Sequence, residues 1–318
     1  MTDFRAAAED YLVTRRAMGY KLSYQGQMLA QFVAYLESIG ADHLSVEDAV
    51  AWAKQPTNAK RSWWEVRLST VRAFARYLSA LDPATEIPPA GLIPAGGGHR
   101  AVPYIYSAGD VAKLLAAAGR LPTAYRADTY RTLIGLVAVT GMRVGETVRL
   151  DRGDVDLGQG LLTIRDSKFG KSRQIPVHPS TVEVLAGYAR RRDAREPRRD
   201  GRRTRHAPSS SSFFTSTTGT RLLRDNVSTV FPRLVRATGL ASRGRGRAPR
   251  LHDLKHSFAV NTLVGWYRQG LEVEPRLPLL STYLGHVAPS STYWYLTAVP
   301  ELLELIADRL DAAPEDTL

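Results

Sequence analysis

Between residues 83 and 103 the chain is crowded with proline and glycine: Pro83, Pro88, Pro89, Pro94, Gly96, Gly97, Gly98 and Pro103. Proline removes a backbone donor and glycine adds conformational freedom, so neither a helix nor a strand continues through such a stretch. It reads as a linker that divides the 318 residues into a domain over 1–82 and a larger one over 104–318. Each part is long enough to bury its own core.

Before the linker, apolar periodicity is helical throughout. It runs over 4–18 and 28–39, with Gly19 and Gly40 as stops, and resumes at Ser45, where Asp48 completes a box-like cap. A fourth helix over 61–81 carries Trp64, Leu68, Val71, Phe74, Ala75 and Leu78 on one stripe. Arg61, Arg67, Arg72 and Arg76 fall elsewhere on it, and two readings stand open for them: a solvated face or a phosphate-contacting one. After the linker, helices over 107–118 and 129–140 precede a change to strand patterning. Residues 160–165 and 172–177 flank a turn through Ser167, Lys168, Phe169, Gly170 and Lys171, a β-hairpin pattern. Helices are expected again over 180–192, 224–238, 252–268, 277–284 and 300–310. The expected fold class is mainly α with a small β-sheet.

Charge and cysteine content narrow the chemistry. Forty-three Lys and Arg against 31 Asp and Glu give a net charge of +12, which fits a polyanionic partner. An arginine-rich stretch over 190–206 and the run Arg243-Gly244-Arg245-Gly246-Arg247 cannot build a core, and suit a sequence-independent grip on phosphates. There is no cysteine, which excludes disulfide scaffolds, thiolate metal sites and cysteine nucleophiles. No apolar run approaches the ~20 residues of a membrane span, so the expected location is the cytoplasm.

Tyr295 lies nine residues after His286, and several segments supply what a tyrosine attacking a phosphodiester needs. A phenol has an ordinary pKa of about 10, so attack requires a base or a strongly positive setting. Charge developing on the phosphoryl oxygens calls for guanidinium, ammonium or imidazole donors, and the departing oxygen needs a proton. Arg143, Lys168, His252 and Lys255 are of those types.

In order and spacing these segments resemble the tyrosine recombinase, or phage integrase, family. Thr140-Gly141-Met142-Arg143-Val144-Gly145-Glu146 looks like its first arginine box, with Arg143 as phosphate ligand and Glu146 as a supporting carboxylate. Lys168 falls at the position of the hairpin lysine that acts as general acid. Leu251-His252-Asp253-Leu254-Lys255-His256-Ser257-Phe258-Ala259 resembles the second box, a His-x-x-Arg motif, placing His252 as a proton-transfer partner, and Leu284-Gly285-His286 matches the third. The family spacing reaches Tyr295, the nucleophile, and passes over Tyr293. The boxes span residues 140–297, and their joint order is far more specific than any one of them.

The resemblance implies a helical core-binding (SAM-like) domain and an α/β catalytic domain closing as a C-shaped clamp on double-stranded DNA. It implies cleavage through a 3′-phosphotyrosyl bond with no cofactor, in a bacterial cytoplasm or nucleoid, and a homo-oligomer on DNA, dimer to tetramer, assembled through the helix over 300–310. The segment around Tyr295 looks closest to transposon-borne members. Lys171, Arg173, Arg243, Arg245 and Arg247 join the helical arginines as candidate DNA contacts. Lys255 departs from the pattern, because the family has arginine there and an ammonium cannot bind two oxygens as a planar fork. That departure sustains a second reading, a catalytically attenuated or inactive DNA-binding accessory protein. A remote third is a zinc hydrolase using His252 and His256, four apart on one helix face.

Overall fold

In the computed structural model the described residues are 3–94, 102–166, 170, 172–195, 198–199, 202–203, 211–241, 248–286, 290–298 and 302. Lys168, Lys171, Arg243, Arg245, Arg247 and the expected helix over 300–310, Leu302 apart, lie outside them. The chain divides into two compact units, Met1–Arg100 and Ala101–Leu318.

The first unit is built from α1 (Phe4–Ala17), α2 (Ser23–Ser38), α3 (Val46–Lys54) and α4 (Arg61–Leu78). Ser45 caps α3 as its sequence promises, accepting the Asp48 N–H at 3.0 Å. The stripe of α4 is buried: Leu68, Val71, Phe74, Ala75 and Leu78 pack with Phe32, Leu36 and Trp52 into one core. Much of the proline-rich stretch belongs to this unit. Ile93 joins its core, and the Glu86 N–H donates to the Leu44 carbonyl at 2.8 Å.

Two of the four α4 arginines turn inward, which corrects their reading as phosphate contacts. Arg67 lies over the Trp52 ring at 3.6 Å and donates to the Trp52 carbonyl at 2.9 Å. Arg72 donates to the carbonyls of Pro88 and Pro89 at 2.7 and 3.1 Å, so its guanidinium fastens the proline segment onto α4. Buried main-chain carbonyls need donors, and a long cationic side chain reaches them from the helix edge. Arg61 and Arg76 remain exposed.

The second unit opens with α5 (Ala108–Gly119) and α6 (Ala124–Thr140), the latter five residues longer at its start than its periodicity indicates because Thr123 caps it. A single-turn α7 (Val144–Thr147) follows. Then come β1 (Val155–Asp156), β2 (Leu161–Ile164) and β3 (Arg173–Pro176), an antiparallel sheet in the order β1-β2-β3 with Leu162 opposite Ile175. The hairpin is the expected one, and β1 is an added short strand with too few residues to show alternation. Helix α8 (Pro179–Asp193) extends into the arginine-rich stretch, where Arg192 is buried and donates to the Phe213 carbonyl at 2.9 Å. Helices α9 (Arg224–Thr238), α10 (Asp253–Arg268), α11 (Leu277–Leu284) and α12 (Ser290–Ala298) complete the described part.

Two cores organise this unit. One gathers α5, α6, the sheet, α8 and α9, and the other gathers Ala259, Val260 and Leu263 of α10 with Leu280, Leu284, Tyr295 and Leu302. Helix α10 contributes Leu254 to the first and its later turns to the second, and it packs along α6. Among the described residues no helix is long and apolar enough to cross a membrane.

The inward arginines set a stability test. Arg72→Ala should cost about 1.5–3 kcal/mol, because it strips charged donors from two carbonyls, whereas Arg61→Ala and Arg76→Ala should stay within about 0.5 kcal/mol of the parent. Urea unfolding of the three variants measures the difference.

Candidate active site

Two glycines shape the site. Gly141 ends α6 in the left-handed region, at φ +60°, and a Cβ there would come within 2.6 Å of Phe258 Cδ1. A residue without a side chain therefore lets the end of α6 approach α10 closely. Gly285 ends α11 in the same way, at φ +65°, and a Cβ on it would lie 2.6 Å from Arg173 Nη1.

The last carbonyls of α11 have no donors within the helix and carry the negative end of its dipole. Three consecutive ones each receive a cation from a different element. Arg173 Nε, from β3, donates to Tyr283 O at 2.8 Å. Lys255 Nζ, from α10, donates to Leu284 O at 2.6 Å and to Gly141 O at 3.2 Å. Arg143 Nη2, at the start of α7, donates to Gly285 O at 2.9 Å. The next residue is His286.

Glu146 ties two of these cations together. Its Oε1 accepts from Arg143 Nη1 and its Oε2 from Arg173 Nη2, both at 2.8 Å, while the Arg143 N–H caps the same carboxylate at 3.1 Å. Burial alone would raise the carboxyl pKa, but the hydrogen bonds and charge of Arg173, then the bonds of Arg143, outweigh it and hold Glu146 at about 2. Three cationic side chains around one carboxylate leave a surplus of positive charge, an arrangement that an anion would complete. The Arg143 side chain is the accessible member, 29% exposed against 10% for Arg173.

Lys255 is only 2% exposed. Burial first, then the charge of Arg143, pushes its ammonium down to about 7, with Glu146 opposing and Arg173 adding to the effect. His252 stands at the exposed start of α10, yet its ring is crowded. Partial desolvation, followed by the Lys255 charge, lowers its pKa below the ordinary histidine value.

Tyr295 is 1% exposed, on α12, and its Oη lies 2.9 Å from His256 Nδ1. Its ring stacks on His286 at 6.1 Å, and His286 Nδ1 is 2.8 Å from Thr292 Oγ1. Tyr293, two residues earlier, is 48% exposed. The structure thus gathers Arg143, Glu146, Lys255 and His286 around the end of α11, with Tyr295 against His286.

Two members of the site carry roles the residue patterns did not assign. Arg173, read as a DNA contact, is instead the second partner of Glu146. The strand alternation held the signal, since Arg173 shares a face with the buried Ile175. His256 stood within the second box without a role and as half of a zinc pair, but it is a partner of Tyr295. Its place on the stripe with Ala259, Val260 and Leu263 marks it as inward-facing. The described residues hold no group of three His, Asp or Glu side chains placed to share a metal ion.

Residues 107–301 match the model of the phage integrase family. The chain belongs to that family. A protein of Sinorhizobium fredii provisionally described as integrase/recombinase y4rB is 44% identical, over 99% of both chains. Tyrosine recombinase XerC of Azotobacter vinelandii is 28% identical over 84% of this chain and 81% of its own. The integrase of transposon Tn1549, solved with transposon right-end DNA, shares the fold with a TM-score of 0.64 at 15% identity, covering 96% of this chain and 99% of that one. With the family goes the activity of a tyrosine recombinase, the breakage and rejoining of DNA strands.

The Lys255 environment of this integrase-family chain yields a pH test. Between about 7 and the ordinary 10.5 the unfolded chain holds the Lys255 proton and the folded chain has released it. Folded-state stability from this group therefore rises with pH across that window, by on the order of 1 kcal/mol per pH unit, and is flat outside it. Thermal unfolding of the native protein and of Lys255→Met at pH 7 to 10 should show the native protein gaining on the variant as pH rises.

Proposed function

We propose that the chain cuts and rejoins DNA at specific sites with Tyr295 as nucleophile, forming a 3′-phosphotyrosyl bond. The observation that carries this reading is the cluster at the end of α11: Arg143, Arg173 and Lys255 on three successive carbonyls, His286 next in sequence, and the Tyr295 ring stacked on that histidine. Arg143, the accessible guanidinium, takes the scissile phosphate, and Glu146 and Arg173 hold it in position. A donor held by its own ion pair needs no reorganisation as charge develops on the phosphoryl oxygens. His286 serves as a further donor to the same oxygens, and His252 as a proton-transfer partner at the exposed rim. Lys168 is assigned the role of general acid to the leaving 5′ oxygen on the strength of the resemblance.

Lys255 makes the site a slow one in this reading. It lacks the fork of an arginine, and with its pKa at about 7 it also carries only part of a charge near neutrality. The accessible Arg61 and Arg76 of the first unit, with Lys171, Arg243, Arg245 and Arg247, contribute further phosphate contacts. The working form is a homo-oligomer on double-stranded DNA in the bacterial cytoplasm. Its relatives include proteins named as integrases and recombinases, and the reaction belongs to the movement of a mobile element.

Incubation with labelled mobile-element end fragments, resolved on a denaturing gel, tests the assignment. Tyr295→Phe should abolish the covalent protein–DNA band and Tyr293→Phe should keep it. Lys255→Arg should raise the yield on a nicked duplex, with a rate gain on the order of 10²-fold if one bidentate contact to the phosphate is restored. An adduct that persists in Tyr295→Phe contradicts the nucleophile, and an unchanged or lower yield from Lys255→Arg contradicts the role given to that position.

A further inference from the structure

The hydroxyl of Tyr295 has an imidazole for a partner, that of His256, a residue of the second box to which the resemblance gave no role. His256 Nδ1 and Tyr295 Oη are 2.9 Å apart, and both residues are buried. The imidazole is held on several sides. The His252 ring meets it edge-on at 4.7 Å, and the Trp294 ring does so at 5.7 Å. Its backbone lies in the first turns of α10, directly after Lys255. Any acceptor, a main-chain carbonyl included, would satisfy a buried phenol. A histidine adds the capacity to take the proton.

We propose that His256 is a further catalytic residue, the group that accepts the Tyr295 proton as the phenolic oxygen attacks phosphorus. The proposal rests on Tyr295 being the nucleophile. In the step, the Tyr295 O–H bond breaks and its proton passes to His256 Nδ1. The Oη–P bond forms, the P–O5′ bond breaks, and the 5′ oxygen takes a proton from a separate acid. In rejoining, a 5′ hydroxyl gives its proton back to the conjugate base of that acid and attacks phosphorus, the Oη–P bond breaks, and the imidazolium returns its proton to Oη.

The direction of transfer follows from ordinary acidities. An imidazolium is ordinarily a stronger acid than a phenol, so passing the proton to an imidazole becomes favourable only as the phenolic oxygen gives up charge. In the proposed step that charge leaves Oη as its bond to phosphorus forms, which couples the transfer to the attack.

The test uses the full-length protein and a nicked duplex bearing a site recovered in the adduct assay. His256→Asn keeps an acceptor oxygen near the place of Nδ1 but cannot take a proton. Single-turnover cleavage should fall about 10²-fold or more, the usual worth of a positioned base, while DNA affinity stays at the native value and the variant remains folded at the assay temperature. Trifluorotyrosine at position 295, a more acidic phenol, should recover most of that loss in His256→Asn and change the native rate little. Native-rate cleavage by His256→Asn, or a deficit that trifluorotyrosine leaves untouched, overturns the proposal. Should His256→Asn fail to fold, the unsubstituted protein decides with a 5′-phosphorothiolate duplex, whose leaving sulfur needs no proton. A normal solvent deuterium isotope effect on its cleavage is expected, and the absence of one overturns transfer from Tyr295. If the native protein forms no adduct through Tyr295, the nucleophile assignment fails and this proposal falls with it. A native adduct with unimpaired His256→Asn removes His256 alone.

Discussion

The carboxyl end of α11 is the interaction on which the site depends. A helix that stops on a left-handed glycine leaves its last carbonyls pointing outward, and here Tyr283, Leu284 and Gly285 each take a donor from a different part of the chain. The donors come from β3, α10 and the start of α7, elements more than a hundred residues apart in sequence at the extremes. Like charges brought together repel, so the assembly needs a counterweight. Helix-end carbonyls and the buried Glu146 provide it, with the carboxylate held at about 2 by the arginines it joins.

That construction has a functional consequence. Glu146 is buried, while Arg143 keeps part of its guanidinium accessible. In the proposed reaction a phosphate would meet positive charge already oriented, with little left for the protein to rearrange as charge builds on the phosphoryl oxygens. Lys255 shows the cost of crowding. An arginine at that position would keep its charge among its neighbours, whereas lysine loses part of it, because desolvation and two guanidiniums act on a group with a lower intrinsic pKa.

Much of this was legible in the residues. The periodicities located α4, α9, α11 and the β2–β3 hairpin, and Ser45 and Asp48 marked the start of α3. The ordered boxes carried Arg143, Glu146, Lys255, His286 and Tyr295. Less legible were the starts of helices: α2 and α6 both begin five residues before their apolar patterns do, α6 behind a Thr123 cap and α2 with no side-chain cap. The arginines were the hardest to read. Arg67, Arg72, Arg173 and Arg192 look like surface charge in composition, but each is spent on carbonyls, a ring or a carboxylate inside its own unit.

The sequence by itself determined the class of chemistry and the helical character of the chain, because both depend on residue type and local spacing. Phenol, guanidinium and imidazole are present or absent whatever the fold, and a 3.6-residue period is a local property. Tertiary structure decided which cation does what. Whether Arg173 contacts a ligand or braces Glu146, and whether His252 or His256 meets the Tyr295 hydroxyl, turns on distances across elements remote in sequence. A hydrogen bond is decided within a few tenths of an ångström, a resolution that long-range packing supplies and residue spacing does not.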